Sequence, residues 1–149
     1  MAHAQIPVAD RTIETILIER GLLSGPNLER VRRLEAESGE RIDRIAAKLG
    51  LISDRDLADA YAALLGSPVL SGAEFPAELV AAERLKGPFF KHARVVPLAE
   101  TEDPLTVAMT DPLDDAAAAA IEFAIDKPVI RRAAMRSIEC RGEEYRLRW

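Results

Sequence analysis

Few side chains in this sequence are of the types that do covalent or acid–base chemistry. Cys140 is the sole cysteine, which excludes an internal disulfide and a multi-cysteine metal site. No histidine stands near it in sequence, so it reads as an ordinary packed or half-exposed thiol. His3 and His92 are the two imidazoles, too few for a histidine-based metal centre, and no metal is expected. His92 follows Phe89 and Phe90 in PFFKHARVV, a setting that suits a partly buried neutral ring. The acid pairs Asp114-Asp115 and Glu143-Glu144 are adjacent residues, which diverge by about 100° on a helix and cannot converge on one substrate. They read as surface charge. Asp111, ahead of Pro112, is placed to accept hydrogen bonds from the backbone beyond the proline and so to hold a turn. The sequence contains no GxxxxGK[ST] loop, no GxGxxG after an expected strand, no GxSxG, no HExxH and no CxxC. Nucleotide hydrolysis, and catalysis of any kind by this chain alone, are therefore not expected.

Charge is the remaining chemical resource. The chain of 149 residues carries a formal net charge of −5, spread evenly. Residues 1–70 hold 9 basic and 11 acidic side chains, and residues 71–149 hold 11 and 14. Nucleic-acid binding needs a basic excess on one face, so no DNA or RNA partner is expected. Arg131, Arg132, Arg136, Arg141, Arg146 and Arg148 gather near the C-terminus among Glu139, Glu143 and Glu144, which suggests a solvated helix with internal ion pairs. In the first half, Arg11, Arg20, Arg41 and Arg44 are the candidates for pairing with an acidic protein partner. No apolar run approaches the ~18–20 residues of a bilayer span, and the N-terminus lacks the pattern of a secretory signal. A soluble, cytoplasmic, monomeric protein is expected, with no direct membrane insertion.

The elements that must carry these charges show an internal repeat. Gly21-Leu22-Leu23-Ser24 followed by Leu28 returns as Gly50-Leu51-Ile52-Ser53 followed by Leu57. Ile13, Ile16 and Leu17 take helical spacing ahead of Gly21, a residue suited to end a helix in the left-handed conformation. A second helix should start near Ser24–Asn27, carry Leu28, Val31 and Leu34, and stop at Ser38-Gly39. The pattern then recurs: Ile42, Ile45, Ala46 and Leu49 precede Gly50, and Leu57, Tyr61, Leu64 and Leu65 precede Gly66. Ser53, with Asp56 three residues on, has the form of an N-cap. Four short helices result, none stable alone, so their apolar stripes must pack on one another. Leu22, Leu23, Leu51 and Ile52 fall in turns and are expected to plug the space between paired helices.

After GSPVLSGAEFP, taken as the boundary between lobes, the pattern changes. Pro76 can open a short helix carrying Leu79, Val80 and Leu85. Arg94–Leu98 and Leu105–Met109 are apolar runs separated by a polar turn, a hairpin signal. Asp114 and Asp115 begin an alanine-rich helix running to Ile125, KPVIRRAA supplies a third strand, and a last helix is expected over Arg136–Tyr145. The fold class is α+β. A helical lobe of two repeated helix-turn-helix units (1–70) precedes a small three-stranded α/β lobe (71–149).

The order GLLSGPNLERV…GERIDRIAAKLGLISDRDLADAYAALLGSPVL, then a proline-initiated helix, then KHARVVPLAETEDPLTVAMTDPLDDAAAAAIEF, resembles the N-terminal domain of the type II secretion ATPases (GspE) and of related type IV pilus assembly ATPases. The likeness runs from about Arg11 to Tyr145. Its most specific part is Arg94-Val95-Val96-Pro97-Leu98, a spacer, and Leu105-Thr106-Val107-Ala108-Met109-Thr110-Asp111-Pro112, similar to a family signature hrvlPl…LtvAmaDP. The resemblance implies a non-catalytic adaptor or regulatory domain on a motor whose ATPase domains lie elsewhere in a parent chain. It also implies docking to the cytoplasmic domain of an inner-membrane platform protein of the L type, which would recruit the motor to the membrane. The same domain type also occurs on some membrane glycosyltransferases and phage-adsorption proteins.

A subset of the family, the MshE-type domains, reads cyclic di-GMP through two copies of a motif close to RLGxxLVxxGxIxxxxLxxALxxQ. Laid on Gly21, that motif puts its arginine at Thr12, its early glycine at Glu14 and its last glutamine at Glu35. Laid on Gly50, it keeps Arg41 but meets Asp43 in place of the glycine and Leu64 in place of the glutamine. The skeleton is present and most ligand contacts are replaced. Arg41 is the one nucleotide-binding candidate, and cyclic di-GMP is a disfavoured ligand.

Overall fold

The computed structural model describes residues 12–70, 94–135, 138–141 and 144–147. Chain contacts divide it into two compact units, Met1–Gly66 and Ser67–Trp149. The helix expected after Pro76 lies outside the described residues, as do His3 and His92.

The first unit contains α1 (Ile13–Glu19), α2 (Gly25–Ser38), α3 (Ile42–Lys48) and α4 (Asp54–Leu65). The repeat extends to single hydrogen bonds. At the end of α1 the Leu22 N–H donates to Leu17 O and the Gly21 N–H to Ile18 O; at the end of α3 the Leu51 N–H donates to Ala46 O and the Gly50 N–H to Ala47 O. Both are Schellman closures. They need a residue at positive φ, and Gly21 (φ +70) and Gly50 (φ +69) supply it without the strain a side chain would add. Thr12 and Ser53 cap α1 and α4 through their hydroxyls, which accept from the N–H of Thr15 and Asp56.

The pairs interlock: α1 packs mainly on α4, and α2 on α3. That exchange is what lets four short helices form one core. Ile16, Leu17, Leu23, Val31, Ile42, Ile45, Ala46, Ile52, Leu57 and Tyr61 are all buried. Of the turn residues, Leu23 and Ile52 are buried and Leu22 and Leu51 half-buried, as packing between helices requires.

The second unit begins before residue 71. The Leu70 N–H donates to Ala133 O, and the Arg132 guanidinium donates to Pro68 O at 3.2 Å, which ties this stretch to the sheet. The sheet has strand order β1-β2-β3, with β1 (Val95–Glu100), β2 (Leu105–Met109) and β3 (Val129–Ala133). β1 and β2 are antiparallel, with a register shift between Pro97 and Ala99, while β2 and β3 run parallel and are joined through α5 (Asp115–Ile125). Pro97 is tolerated because β1 ends the strand order, where a missing ladder donor costs least. One sheet face packs Val95, Leu105, Val107 and Met109 against Ala117, Ile121 and Ile125 of α5; the other gathers Val96, Ala108, Leu70 and Ala134. The Asp114 carboxylate caps α5 by accepting from the Ala117 N–H at 3.0 Å, and that of Asp111 accepts from the Leu113 N–H at 3.3 Å, the turn role expected of it.

The expected C-terminal helix over Arg136–Tyr145 is not formed. In its place stands an antiparallel hairpin, β4 (Ile138–Arg141) and β5 (Glu144–Leu147). Its register sets Glu139 opposite Arg146 and Arg141 opposite Glu144. These positions therefore stand opposite one another across two strands and not one turn apart on a helix. The sequence Ile138-Glu-Cys140-Arg, Gly142-Glu, Glu-Tyr145-Arg-Leu147 also has period two around a glycine, the strand period.

Candidate functional site

Of the arginines proposed for recognition, Arg20, Arg41 and Arg44 fall in the helical unit, and the fold gives them different tasks. Arg20 is the C-cap residue of α1 and is exposed. Arg44 is exposed on α3. Both present a cation at the surface, as a docking role requires. Arg11 lies outside the described residues.

Arg41 is turned inward. It is the N-cap residue of α3, and without a hydroxyl or carboxylate it provides no side-chain cap for the helix. Its fork closes on Asp43: Nε donates to Oδ1 at 3.1 Å and Nη2 to Oδ2 at 2.9 Å. Asp43 is wholly buried, and its Oδ2 also accepts from the Tyr61 hydroxyl on α4. A buried carboxylate is tolerable only when it is paired and hydrogen-bonded; here a bidentate guanidinium and a phenol do both. Sequence reasoning placed Tyr61 on the core stripe and Asp43 at a lost glycine. It did not join them, because nothing in a one-dimensional pattern tells a buried aspartate from a surface one.

The first helix pair holds a matching contact. Glu14 on α1 accepts from Arg32 on α2, from Nε at 2.9 Å and from Nη2 at 2.6 Å. Glu14 and Asp43 are separated by the same offset as Gly21 and Gly50, and Arg32 and Tyr61 by that offset again. This pair is open to water, with the Arg32 side chain 53% and the Glu14 side chain 32% exposed. Among the described residues no cluster of histidine, cysteine and carboxylate groups could hold a metal ion, and no helix is long and apolar enough to cross a membrane.

In the second unit the polar contacts brace the fold. The Arg131 guanidinium donates to Pro112 O at 2.9 Å and to the Asp115 carboxylate at 2.7 Å, fixing β3 to the start of α5. Lys127 Nζ donates to Glu100 Oε1 at 2.9 Å and to Thr101 O at 2.8 Å.

The sequence is 32% identical over 133 residues to the type II secretion system protein E of Xanthomonas campestris pv. campestris. The structure overlays on the N-terminal domain of XpsE with TM-score 0.69 and 32% identity, covering 85% of this chain and 90% of that one. The chain belongs to the family of secretion-ATPase N-terminal domains. Residues 65–137 match the MshEN domain, in keeping with the RVVPL…LTVAMTDP signature inside the second unit. A second crystal form of the XpsE domain overlays with TM-score 0.57. The structure of MshE with cyclic di-GMP shares the fold at TM-score 0.66 and 24% identity, over 84% of this chain and 91% of that one. The alignment to the Xanthomonas protein covers 87% of this chain but 24% of the relative, so the chain spans about a quarter of that protein's length. The region it corresponds to is the N-terminal domain and not the catalytic ATPase domain.

Proposed function

We propose that this domain is a non-catalytic adaptor and regulatory module of a secretion or pilus-assembly ATPase, docking the motor to the cytoplasmic domain of an L-type inner-membrane platform protein. The observation that carries this reading is the likeness to the XpsE N-terminal domain, in sequence and in fold, across most of both chains. Its other partner is the ATPase portion of its own parent chain. In this reading the domain works in the cytoplasm, as its likeness to the secretion ATPase supports, and reaches the membrane through its protein partner. Arg20 and Arg44, exposed on the helical unit, contribute charge pairing with an acidic surface, and Arg11 is a third candidate; Arg41 serves the interior instead.

The test is biolayer interferometry of the purified chain against the immobilised cytoplasmic domain of the platform protein. Saturable binding, weakened in Arg20→Glu/Arg44→Glu and at raised salt, supports the reading. Absence of binding at high concentration removes it, and leaves the same domain type on a membrane glycosyltransferase as the parent to test next. A cyclic di-GMP sensor is the second reading, prompted by the fold shared with MshE, and the pairing of Arg41 with buried Asp43 weighs against it.

A further inference from the structure

The two helix pairs carry the same polar joint at the same place. In each, a carboxylate on the first helix is held by the side chain eighteen residues on, in the second helix: Glu14 by Arg32, and Asp43 by Tyr61. In the second pair Arg41 adds its fork from the start of α3. The joint is thus a feature of the repeat, while the groups that fill it differ. In the first pair the cation comes from the second helix, and in the second pair from the helix start.

These are also the positions at which the dinucleotide-reading motif sets its glycine and its arginine. A glycine leaves the helix surface bare for a ligand, whereas Glu14 and Asp43 fill it with charge of the same sign as a phosphodiester. Arg41 is the one arginine of the motif that is kept, and its Nε and Nη2 donate to a carboxylate that is fully buried. A phosphate approaching that fork must displace an anion that would be stranded without its cation. The residues present do not fit cyclic di-GMP.

We propose that Asp43 is an internal carboxylate latch that stands in for an anionic ligand between the helices of the second pair, with Glu14 its solvent-open counterpart in the first, so that the helical unit is assembled without nucleotide and is closed to cyclic di-GMP. This is independent of the docking reading and does not fail with it.

The test uses the whole chain. Thermal unfolding is measured for the wild type, Arg41→Ala, Asp43→Asn and the double variant, and cyclic di-GMP is titrated calorimetrically into the wild type up to millimolar concentration. Arg41→Ala strands a buried charge and lowers Tm by roughly 5–10 °C. Adding Asp43→Asn removes that charge and restores about half or more of the loss. The titration gives no saturable heat. Should Arg41→Ala not fold, Tyr61→Phe keeps the packing and is combined with Asp43→Asn, and the same non-additivity is read. Additive losses, or saturable cyclic di-GMP binding by the wild type, overturn the proposal.

Discussion

At the scale of single residues, burial decides what a polar contact is worth. The Tyr61 hydroxyl reaches a carboxylate with no exposed surface. Tyr61→Phe removes the donor with almost no change of shape, and should cost about 1.5–3 kcal/mol in urea unfolding, the range for hydrogen bonds to charged groups. The equivalent contact in the first repeat, Arg32 on Glu14, is open to water and weaker in effect. Arg32 and Glu14 are largely solvated, so Arg32→Ala should cost less than about 1 kcal/mol in the same assay, and still less in high salt. Equal losses for the two variants would contradict this ordering.

Secondary-structure elements are set by their ends. The Schellman closure after α3 requires positive φ at Gly50, and a Cβ built there meets nothing within 4 Å. Gly50→Ala therefore costs only the backbone penalty of the left-handed region, about 1–2 kcal/mol, without a steric clash. Chemical denaturation reads the loss, and Gly21→Ala should match it because the closure is repeated. The alanine-rich α5 depends on one cap. Asp114→Ala should cost about 1 kcal/mol, because the Ala117 N–H loses its acceptor; Asp114→Ser should restore most of it.

For the molecule as a whole, the docking proposed above predicts that stability and recognition draw on different residues. Arg20 and Arg44 are exposed, where polar contacts contribute little to stability. Arg20→Glu/Arg44→Glu should leave the unfolding midpoint close to that of the wild type while slowing association with the platform domain, most at low ionic strength. A drop in stability comparable to the loss of binding would move these arginines from recognition to structure. The placement of Arg41 carries the opposite expectation: its removal is felt first in unfolding, through Asp43.

The repeat, the four helices with the Ser53 cap and their closing glycines, the hairpin Val95–Met109, the helix from Asp114 and the strand after Lys127 were legible in the sequence, whereas the Thr12 cap of α1 was not. Each is governed by local chemistry: a glycine at a helix end, a hydroxyl before a first turn, a period of 3.6 or of two. The last segment was misread as a helix because alternating arginine and glutamate satisfy helical and cross-strand pairing alike, and the register that sets Glu139 against Arg146 exists only once the hairpin is made. The family resemblance was also legible, carried by the signature RVVPL…LTVAMTDP, whose two apolar runs pair as β1 and β2. The exchange of partners, α1 with α4 and α2 with α3, was not. That exchange accompanies the burial of Asp43, whose carboxylate meets Arg41 two residues before it and Tyr61 eighteen residues after it. Sequence fixes which charges exist and where the helices turn. Only tertiary packing removes water from one carboxylate and leaves its repeat counterpart wet, because desolvation depends on what surrounds a residue in space.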